Sequence, residues 1–388
     1  MTGNAAVPAH LGLPDRGGPA DQIRPAKRTR PAGCAEPLSE HYDAALLDLD
    51  GVVYLGRGPI PKAAAALADA AKRGMKRAYV TNNASRTPHA IAAQLRAMGV
   101  QATAADIVTA AQAAAHLLAD RLPAGAAVLV AGGTGLRQAI RDRGLRPVTA
   151  AADRPAAVVQ GYSPDMSYGL LSEAALAIEA GALYVATNVD ATMPSPRGAL
   201  PGNGSLVQVL VHATGCLPVV AGKPEPPMHA ESVQRVSAVR PLVVGDRLDT
   251  DIEGAVCGGA DSLLVLTGVT EPADLLLAPA LRRPTYLAAD LTGLNSAHPE
   301  VTVHEGGVFR CGGWTAAAGP AAAGPAGAGR GAWLTARGSG DWVDGLRALC
   351  GAAWTVGLPP GGPAEQHQAA AAAIAAIQPV QAGKQEVP

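Results

Sequence analysis

Short apolar stretches that are typical of buried strands recur along this chain, and each ends near a polar or charged residue. Helical sequence separates them: Pro61 begins an alanine-rich stretch that Gly74 stops, and Thr87 followed by Pro88 is typical of a helix N-terminus. Strands that alternate with helices in this way form a parallel sheet with helices on both faces. We therefore predict an α/β fold with a Rossmann-like parallel-sheet core. The residues that follow the apolar stretches include Asp48, Thr81, Lys223 and Asp246.

A second alternating block interrupts the first. Its strands are predicted at 128–130, 157–159 and 183–186, and its helices near 135–143, 168–180 and 203–214. The first sheet is expected to resume with strands at 219–220, 242–244 and 263–266. One α/β domain therefore contains another: the core comprises 41–123 and 217–290, and the inserted domain comprises 124–216.

The two ends of the chain are less regular. Residues 1–40 are rich in Pro, Gly, Ala and Arg, without a hydrophobic period, and are predicted to be a disordered tail. Short strand and helix candidates in 291–355 could pair into a small α+β module, with a flexible Gly/Ala/Pro linker at 316–332. Residues 356–388 are predicted to be a low-complexity tail, in which 369–376 could be helical.

Charge and cysteine usage narrow the function classes. The formal net charge is −1, which gives no reason to expect nucleic acid or an anionic membrane as a partner. A small anionic substrate would need a local positive site. The five cysteines include no Cys-x-x-Cys pair, so they indicate reduced thiols rather than a zinc site. With no signal peptide and no apolar run long enough to span a bilayer, we expect a cytoplasmic protein.

Asp48 and Asp50, in the sequence Asp-Leu-Asp-Gly, offer paired carboxylates after the first strand. A carboxylate such as Asp48 can attack phosphorus and form an aspartyl phosphate. Asp50 lies on the same side of an extended chain, where it can protonate the leaving oxygen and later deprotonate water. Gly51 allows a sharp turn beside a ligand. The two aspartates would serve equally well in an ordinary turn, so this motif alone decides nothing.

Thr81, Asn82 and Asn83 follow the second strand and offer phosphate-binding groups. A hydroxyl and nearby backbone N–H groups can hold phosphate oxygens without adding charge. Lys223, between Gly222 and a proline, could offset the charges of the phosphate and of Asp48. Taken singly, the sequence of Thr81, Asn82 and Asn83 would be an ordinary helix cap, and Lys223 would be a solvated surface lysine.

Asp246 follows the strand at 242–244 and is positioned for a hard cation. Mg²⁺ prefers oxygen ligands in octahedral geometry, which Asp48, Asp246 and a backbone carbonyl could supply together with water. Asp251 would then act behind the ligands or through water, and Asp249 is expected to be an exposed acid at a helix start. So many convergent carboxylates would repel one another without a cation.

These four motifs, in this order and spacing, resemble those of the haloacid dehalogenase phosphatases over about 42–290. The most similar branch includes N-acetylglucosamine-operon, pyridoxal phosphate and phosphoglycolate phosphatases. It carries a large α/β cap domain between the second and third motifs, where the inserted domain lies here. The resemblance implies Mg²⁺ as cofactor and a small phosphorylated metabolite as substrate. It also implies a homodimer as a possible state, since caps of this branch often support dimers.

The resemblance also assigns roles to matching residues. Asp48 would be the nucleophile and a Mg²⁺ ligand, Asp50 the acid/base and a ligand through its backbone carbonyl, and Asp246 the third protein ligand. The phosphate would be held by Thr81, Asn82, Asn83 and Lys223.

Cap residues decide specificity in this branch, and the candidates here are Met193 and Arg197. Met193 stands where pyridoxal phosphate phosphatases carry a histidine, which argues against pyridoxal phosphate as the substrate. Met193 could equally well pack the cap interior, and Arg197 could be a solvated loop charge.

The C-terminal segment resembles that of actinobacterial glycerol-3-phosphate phosphatases, which carry a small acetyltransferase-like module. Arg337-Gly338-Ser339-Gly340 is too short to match an acetyl-CoA phosphate loop, so no acetyl transfer is predicted. The subgroup implies glycerol 3-phosphate as the substrate, in the recycling of glycerophospholipids.

Alternatives stay open at this point. Nucleoside monophosphates, phosphoglycolate and sugar phosphates are other candidate substrates. A non-catalytic member of the family would bind metabolites only, although Asp48, Asp50, Lys223 and Asp246 are all present. The glycine-rich turn at 132–137 would suit a dinucleotide-binding domain, but it lacks the complete G-x-G-x-x-G, and no acidic residue ends the next strand.

Overall fold

The computed structural model describes residues 28–56, 58–193, 197–319, 333–359 and 361–377. Most of the predicted N-terminal tail, residues 320–332 of the predicted linker and the end of the C-terminal tail lie outside the described residues. In chain order the first part contains α1 (Leu38–His41), β1 (Ala44–Leu47), β2 (Tyr54–Leu55), β3 (Gly58–Pro59), α2 (Ala63–Lys72), β4 (Lys76–Thr81), α3 (Pro88–Ala97), β5 (Ile107–Thr109) and α4 (Ala110–Ala119).

The inserted block and the returning core follow. The block contains β6 (Ala127–Ala131), α5 (Thr134–Asp142), β7 (Arg146–Val148), β8 (Ala157–Gln160), α6 (Tyr168–Glu179), β9 (Leu183–Ala186), β10 (Thr192–Met193), β11 (Leu200–Pro201), α7 (Asn203–Thr214) and β12 (Val219–Val220). The returning core contains α8 (Pro226–Val236), β13 (Pro241–Gly245), α9 (Glu253–Cys257), β14 (Asp261–Val265), α10 (Pro272–Leu276) and β15 (Tyr286–Ala288).

The core is a parallel sheet in the order β15-β14-β13-β1-β4-β5, as the alternation of strands and helices predicts. β1 lies in the middle, with Leu47 paired to Val244 on one side and to Tyr79 on the other. The chain fills one half of the sheet first, through β4 and β5, and returns to fill the other half. The strand order therefore reverses between β1 and β13.

The start of α3 shows how local sequence sets these elements. Thr87 is extended, and its side chain accepts a hydrogen bond from the Ala90 N–H at 3.3 Å, with Pro88 at the first helical position. Such a cap satisfies an otherwise unpaired donor of the first turn. The helix therefore starts where the sequence predicts.

The inserted domain has its own parallel sheet, in the order β12-β9-β8-β6-β7. The prediction that 219–220 returns to the core sheet is wrong, because Val219 pairs with Val185 and Val220 with Ala186 of β9. The β9–α7–β12 unit is a parallel crossover, which brings its second strand back beside the first. The sheet of the inserted domain consequently extends to residue 220, beyond the expected boundary at 216.

The core and the inserted domain share one apolar cluster. Leu46 and Val80 of the core sheet belong to the same buried cluster as Val128 and Leu136 of the inserted domain. Helices α4 and α8 of the core and α5 of the inserted domain contribute to it. The two domains therefore form a continuous hydrophobic interior at this junction.

The C-terminal part forms the predicted α+β module. An antiparallel sheet of β16 (Thr302–His304), β17 (Val308–Cys311), β18 (Trp314–Ala318) and β19 (Leu334–Gly338) packs on α11 (Trp342–Val356), and α12 (Pro363–Ala375) follows. Its apolar residues share a cluster with Leu264 and Leu287 of the core. The buried Arg347 donates to the Leu287 carbonyl at 2.5 Å and to His298 Nδ1 at 3.2 Å. The module is thus docked on the outer strand β15.

The expected disorder of residues 1–40 is wrong for 28–40. Arg28 forms an ion pair with Asp261 at 3.1 Å, Cys34 pairs with His298 in an antiparallel bridge, and Leu38 is fully buried. Composition suggested disorder, but backbone hydrogen bonds and a few anchoring side chains hold this segment on the core. Among the described residues, no helix has the length and apolar character needed to cross a membrane.

Candidate active site

The carboxyl edge of the core sheet brings together residues from both domains. Asp48 follows β1, Thr81 ends β4 and Asp246 follows β13, so neighbouring strands place them at one edge. Lys223 follows β12 of the inserted domain and reaches the same edge from the other side. Ligands of open α/β sheets bind where the strand order reverses, which here is between β1 and β13.

A cavity of about 240 Å³ lies at this edge. Its core wall includes Asp48, Asp50, Thr81, Asn82, Asn83 and Arg247, together with Lys223. Its opposite wall comes from the inserted domain and includes Tyr162, Asn188, Asp190, Thr192 and Met193. The cavity is therefore an interdomain site.

Lys223 holds two carboxylates together at the base of the cavity. Its Nζ lies 2.5 Å from Asp48 Oδ1 and 2.7 Å from Asp251 Oδ1. Burial alone would lower the pKa of Lys223, but the charges of Asp251 and Asp48 outweigh it, and the pKa is raised. Burial raises the pKa of Asp48, and the Lys223 charge opposes that shift. Lys223 therefore carries its charge between the two carboxyl groups at neutral pH.

Asp246 is fully buried and has one carboxylate oxygen without a hydrogen-bond partner among the described residues. Its Oδ2 accepts from the Val269 N–H at 2.7 Å, whereas Oδ1 has no donor. A Cβ added at Gly51 or Gly268 would lie 2.4 Å or 1.9 Å from Oδ2, so both glycines let the backbone approach this carboxylate. Burial raises the pKa of Asp246 to about 6, and the Asp251 charge adds to the shift.

The carboxylates converge in a way that suits a hard cation. Asp48, Asp246 and Asp251 each offer a carboxylate oxygen, and these atoms lie within 4.8 Å of one another. Oxygen donors are the ligands that Mg²⁺ prefers, and a cation would explain the unpaired Asp246 Oδ1. Asp251 is less available, because Lys223 and the Arg247 N–H already bind its oxygens at 2.7 Å and 3.2 Å. Asp48 and Asp246 are thus the better candidate ligands.

Asp50 lies at the mouth of the cavity, where the chain turns sharply. The turn uses Gly51 at φ 86°, and the Thr267 hydroxyl donates to the Gly51 carbonyl at 2.5 Å. Burial raises the pKa of Asp50, although the Gly56 N–H, 3.5 Å from its Oδ1, opposes the shift. A carboxyl group with a raised pKa at the cavity mouth is suited to exchanging protons.

Thr81, Asn82 and Asn83 all line the cavity, but their side chains are engaged differently. The Thr81 hydroxyl accepts from the Asn83 N–H at 3.1 Å and keeps its own proton to donate. The Asn83 Oδ1 accepts from the backbone N–H groups of Ser85 and Arg86 at 3.0 Å and 3.3 Å, which shapes the loop. The Asn82 side chain bonds to the Lys223 backbone and to the inserted domain.

Met193 and Arg197 occupy different places. Met193 lines the cavity from the short hairpin of β10 and β11, where it pairs with Leu200. Arg197 lies in the exposed turn of that hairpin and is not among the described residues that line the cavity.

Comparison with known proteins gives the family. Residues 45–146 match the family model of the haloacid dehalogenase-like hydrolases, and 220–294 match a second model of the same kind. D-glycerol 3-phosphate phosphatase of Mycobacterium tuberculosis is 51% identical over 258 residues, which are 66% of this chain and 72% of that protein. The chain belongs to the haloacid dehalogenase-like hydrolases. The resemblance predicted from the four motifs is confirmed.

Other haloacid dehalogenase-like relatives agree with this. Acid sugar phosphatase of Staphylococcus saprophyticus is 37% identical, over 65% of this chain and 96% of its own. The crystal structure of a glycerol phosphate phosphatase from M. tuberculosis in complex with magnesium matches with a TM-score of 0.75 and 42% identity, over 87% of this chain and 99% of its own.

Several polar residues that line this site were missed by the sequence analysis, among them Tyr162, Asp190 and Arg247. Asp190 follows β9, so the rule that polar residues after strands form the site would have found it. Burial raises the pKa of Asp190. Arg247 donates from Nε and Nη2 to Asp249 at 3.1 Å and 2.8 Å, so Asp249, expected to be an exposed helix-start acid, orients this arginine.

The glycine-rich turn at 132–137 has a packing role in this haloacid dehalogenase-like fold. A Cβ at Gly133 would lie 3.2 Å from the Ser85 backbone, and one at Gly135 would lie 2.5 Å from the Arg86 carbonyl oxygen. The Gly135 N–H also donates to the Ser85 carbonyl at 3.0 Å. These glycines let α5 approach the loop after β4, which accounts for them without a dinucleotide.

Proposed function

We propose that this chain is a Mg²⁺-dependent phosphomonoesterase that hydrolyses glycerol 3-phosphate through a phosphorylated Asp48. One observation supports the proposal above the others: the Lys223 ammonium lies between Asp48 and Asp251, whose carboxylates converge with that of Asp246, and among the described residues the buried Asp246 Oδ1 has no hydrogen-bond partner. A carboxylate nucleophile, a positive charge and a vacant hard-oxygen donor are what transfer of a phosphoryl group requires.

The cation would be held by Asp48, by Asp246 and by the backbone carbonyl of Asp50. When bound, Mg²⁺ would neutralise charge on the phosphate and orient it towards Asp48. The convergence of carboxylates within 4.8 Å of one another supports this assignment. Asp251 would act behind the ligands, by fixing the Lys223 ammonium.

In the first half of the reaction, a carboxylate oxygen of Asp48 would attack phosphorus while the bond from phosphorus to the ester oxygen breaks. Asp50 would give its proton to the departing alkoxide, which leaves as the alcohol. In the second half, Asp50 would take a proton from water as that water attacks phosphorus, which breaks the bond to Asp48 and releases inorganic phosphate. The raised pKa of Asp50 favours the protonated form that the first half needs.

The phosphate would be held by Thr81, Lys223 and the segment of Asn82 and Asn83. The Thr81 hydroxyl is free to donate, and Lys223 offsets the repulsion between Asp48 and the incoming anion. For the two asparagines, backbone N–H groups are the better candidates, because their side chains already bond within the protein.

The inserted domain would act as the cap, with Met193 and Arg197 as specificity residues. It forms the wall opposite Asp48 and would exclude water from the reacting atoms. A cavity of about 240 Å³ is smaller than the roughly 300–1,000 Å³ typical of drug-sized ligands, which favours a small ester. The name of the mycobacterial relative points to glycerol 3-phosphate among such esters.

The acetyltransferase-like nature of the C-terminal module is part of the proposal, supported by its antiparallel sheet packed on α11. The cytoplasmic location and the homodimer stay predictions.

Phosphate release from a panel of esters, with Mg²⁺ and with EDTA, tests the proposal. The panel contains both glycerol 3-phosphate enantiomers, phosphoglycolate, pyridoxal phosphate, nucleoside monophosphates and an aryl phosphate. We expect EDTA-sensitive hydrolysis that is fastest with glycerol 3-phosphate. Faster hydrolysis of another ester would support the mechanism but exclude glycerol 3-phosphate as the preferred substrate. No metal-dependent hydrolysis of any ester would favour a non-catalytic, metabolite-binding role.

A further inference from the structure

The side-chain amide of Asn82 joins three segments of the site. Its Oδ1 accepts from the Lys223 N–H at 2.9 Å, and its Nδ2 donates to the Lys223 carbonyl at 3.2 Å. The same Nδ2 donates to Asp190 Oδ2 of the inserted domain at 3.1 Å. One amide therefore fixes the backbone of Lys223 and contacts the loop after β9.

The chain around Lys223 is built to accept this amide. A Cβ at Gly222 would lie 2.6 Å from Asn82 Oδ1 and 2.4 Å from the Thr187 carbonyl oxygen. Any larger residue at 222 would push the two segments apart. The close approach of Asn82 therefore explains why a glycine precedes Lys223.

The contact continues into the inserted domain through two more asparagines. Asn188 Nδ2 donates to the Asn82 carbonyl at 2.8 Å, and Asn203 Nδ2 donates to the Asn188 carbonyl at 2.7 Å. The Asp190 N–H in turn donates to Asn188 Oδ1 at 3.2 Å. A connected series of hydrogen bonds therefore runs from the start of α7 to Asn82, the residue that follows β4.

We propose that Asn82 is a positioning residue that sets Lys223 and the Asp190 loop in one arrangement, and that its side chain does not bind phosphate. This inference rests on the proposed function, since Lys223 matters as the charge beside Asp48. Because the amide already donates to the Lys223 carbonyl and to Asp190, a phosphate could recruit it only by breaking these bonds. Its contribution to catalysis is therefore made through Lys223 and the Asp190 loop.

A double-mutant cycle with Asn82→Ala and Asp190→Ala tests the proposal. Wild-type hydrolysis of an aryl phosphate is measured first, and its absence would overturn the proposed function and the inference together. A misplacement of about 1 Å can cost about 100-fold, so we expect kcat/KM to fall by about 100-fold or less in Asn82→Ala. Asp190→Ala is expected to lower kcat/KM in the same way, and the double variant to be little worse than Asn82→Ala.

If Asp190 were only a negative charge in a phosphate pocket, its removal would lower the KM for the ester and the inhibition constant for inorganic phosphate. Multiplying effects in the double variant, or a lower KM in Asp190→Ala, would overturn the proposal.

Hydrogen exchange provides a readout that does not depend on turnover. In Asn82→Ala we expect faster amide exchange in 187–192 and at Lys223, because both lose their tie to the loop after β4. Asn83→Ala is the matched control, since in the described part of the chain the Asn83 Oδ1 bonds only within its own loop, to Ser85 and Arg86. If Asn82→Ala fails to fold, Asp190→Ala removes the same contact from the inserted domain, because alanine has no oxygen to accept from Asn82 Nδ2. Unchanged exchange in 187–192 in the folded variant would overturn the proposal.

Discussion

Three carboxylates converge at the base of this site, and two of them share the ammonium group of Lys223. Lys223 contacts Asp48 and Asp251 directly, while Asp246 has only a backbone N–H for one oxygen. Burial raises the pKa of Asp48 and of Asp246, and the neighbouring negative charges add to the shift. The side chains proposed to serve the chemistry are therefore held at a cost to the stability of the metal-free chain.

Replacing Asp48 with asparagine should separate chemistry from folding. An amide is not a nucleophile towards phosphorus, so we expect Asp48→Asn to lower kcat by about 10³-fold or more. The same change relieves carboxylate repulsion, so the melting temperature in EDTA should not fall. Phosphate release and thermal unfolding are the measurements. Turnover near that of the wild type would contradict the role of Asp48.

Asp246→Asn should remove stabilisation by the metal. A ligand at about 100 times its dissociation constant stabilises a folded chain by about 2.7 kcal/mol, and this gain should be lost in the variant. The measurement is thermal unfolding with Mg²⁺ and with EDTA. Asp249→Asn is the matched control, because Asp249 belongs to the same segment but pairs with Arg247. An equal response to Mg²⁺ in the two variants would exclude Asp246 as a ligand.

At this scale the sequence predicted which residues converge but not how their side chains are used. Asp48, Thr81 and Asp246 could be found because strand ends in a parallel sheet share an edge. The engagement of Asn82 with Asp190 depends on how two domains meet, and no local pattern encodes that. The role of Arg197, which was predicted from its place in the cap loop, stays a prediction, since Arg197 is not among the described residues that line the cavity.

Among the elements, α5 shows how closely the inserted domain is packed. Gly135 lies inside this helix, where alanine would normally be preferred, yet a Cβ would meet the Arg86 carbonyl oxygen at 2.5 Å. We expect Gly135→Ala to destabilise the chain by about 1–3 kcal/mol through overpacking.

Gly169 in α6 is the matched control for this prediction. Its Cβ would meet only Ser167 Oγ, at 3.9 Å, so Gly169→Ala should stabilise by up to about 0.5–1 kcal/mol. Urea unfolding of both variants checks the pair. A stabilising effect of alanine at both positions would contradict the close contact of α5 with the loop after β4.

The bounds of the helices were predicted better than the pairing of the strands. Helices α5, α6 and α7 begin and end within a residue of their predicted bounds, because periodicity and caps are local. Strand β12 was assigned to the wrong sheet. It consists of two valines after a helix, and this local pattern does not indicate which sheet the strand joins. The bridge at Cys34 was missed because a single backbone pairing leaves no pattern.

His298 lies at the junction of the core and the C-terminal module. Arg347 donates to its Nδ1, so the ring proton must lie on Nε2, which donates to the Gly293 carbonyl at 2.8 Å. Burial and the Arg347 charge lower the pKa of His298 to about 4, although the bond to Gly293 opposes the shift. The ring is therefore neutral in the folded chain at neutral pH.

This predicts a loss of stability in acid. In the unfolded chain the histidine has a pKa of about 6.5. The stability that the neutral His298 ring contributes is therefore complete above that pH, and about 3 kcal/mol of it is lost as the pH falls towards 4. We expect His298→Gln to flatten the pH dependence of unfolding between pH 6.5 and pH 4. His304→Gln, at an exposed position in β16, is the control. Urea titrations across this range decide it, and parallel pH profiles for His298→Gln and the wild type would contradict it.

The apolar cluster shared by the core and the inserted domain limits how substrate and product can exchange. Swinging the inserted domain away would bring its apolar side chains into water, at about 2.5 kcal/mol and about a 70-fold drop in population for every 100 Å² exposed. Two short hairpins at the cavity, β2–β3 and β10–β11, carry residues outside that cluster, among them Leu55 and Leu200. We therefore expect the traffic of small molecules to follow the opening frequency of these hairpins rather than rotation of the domain.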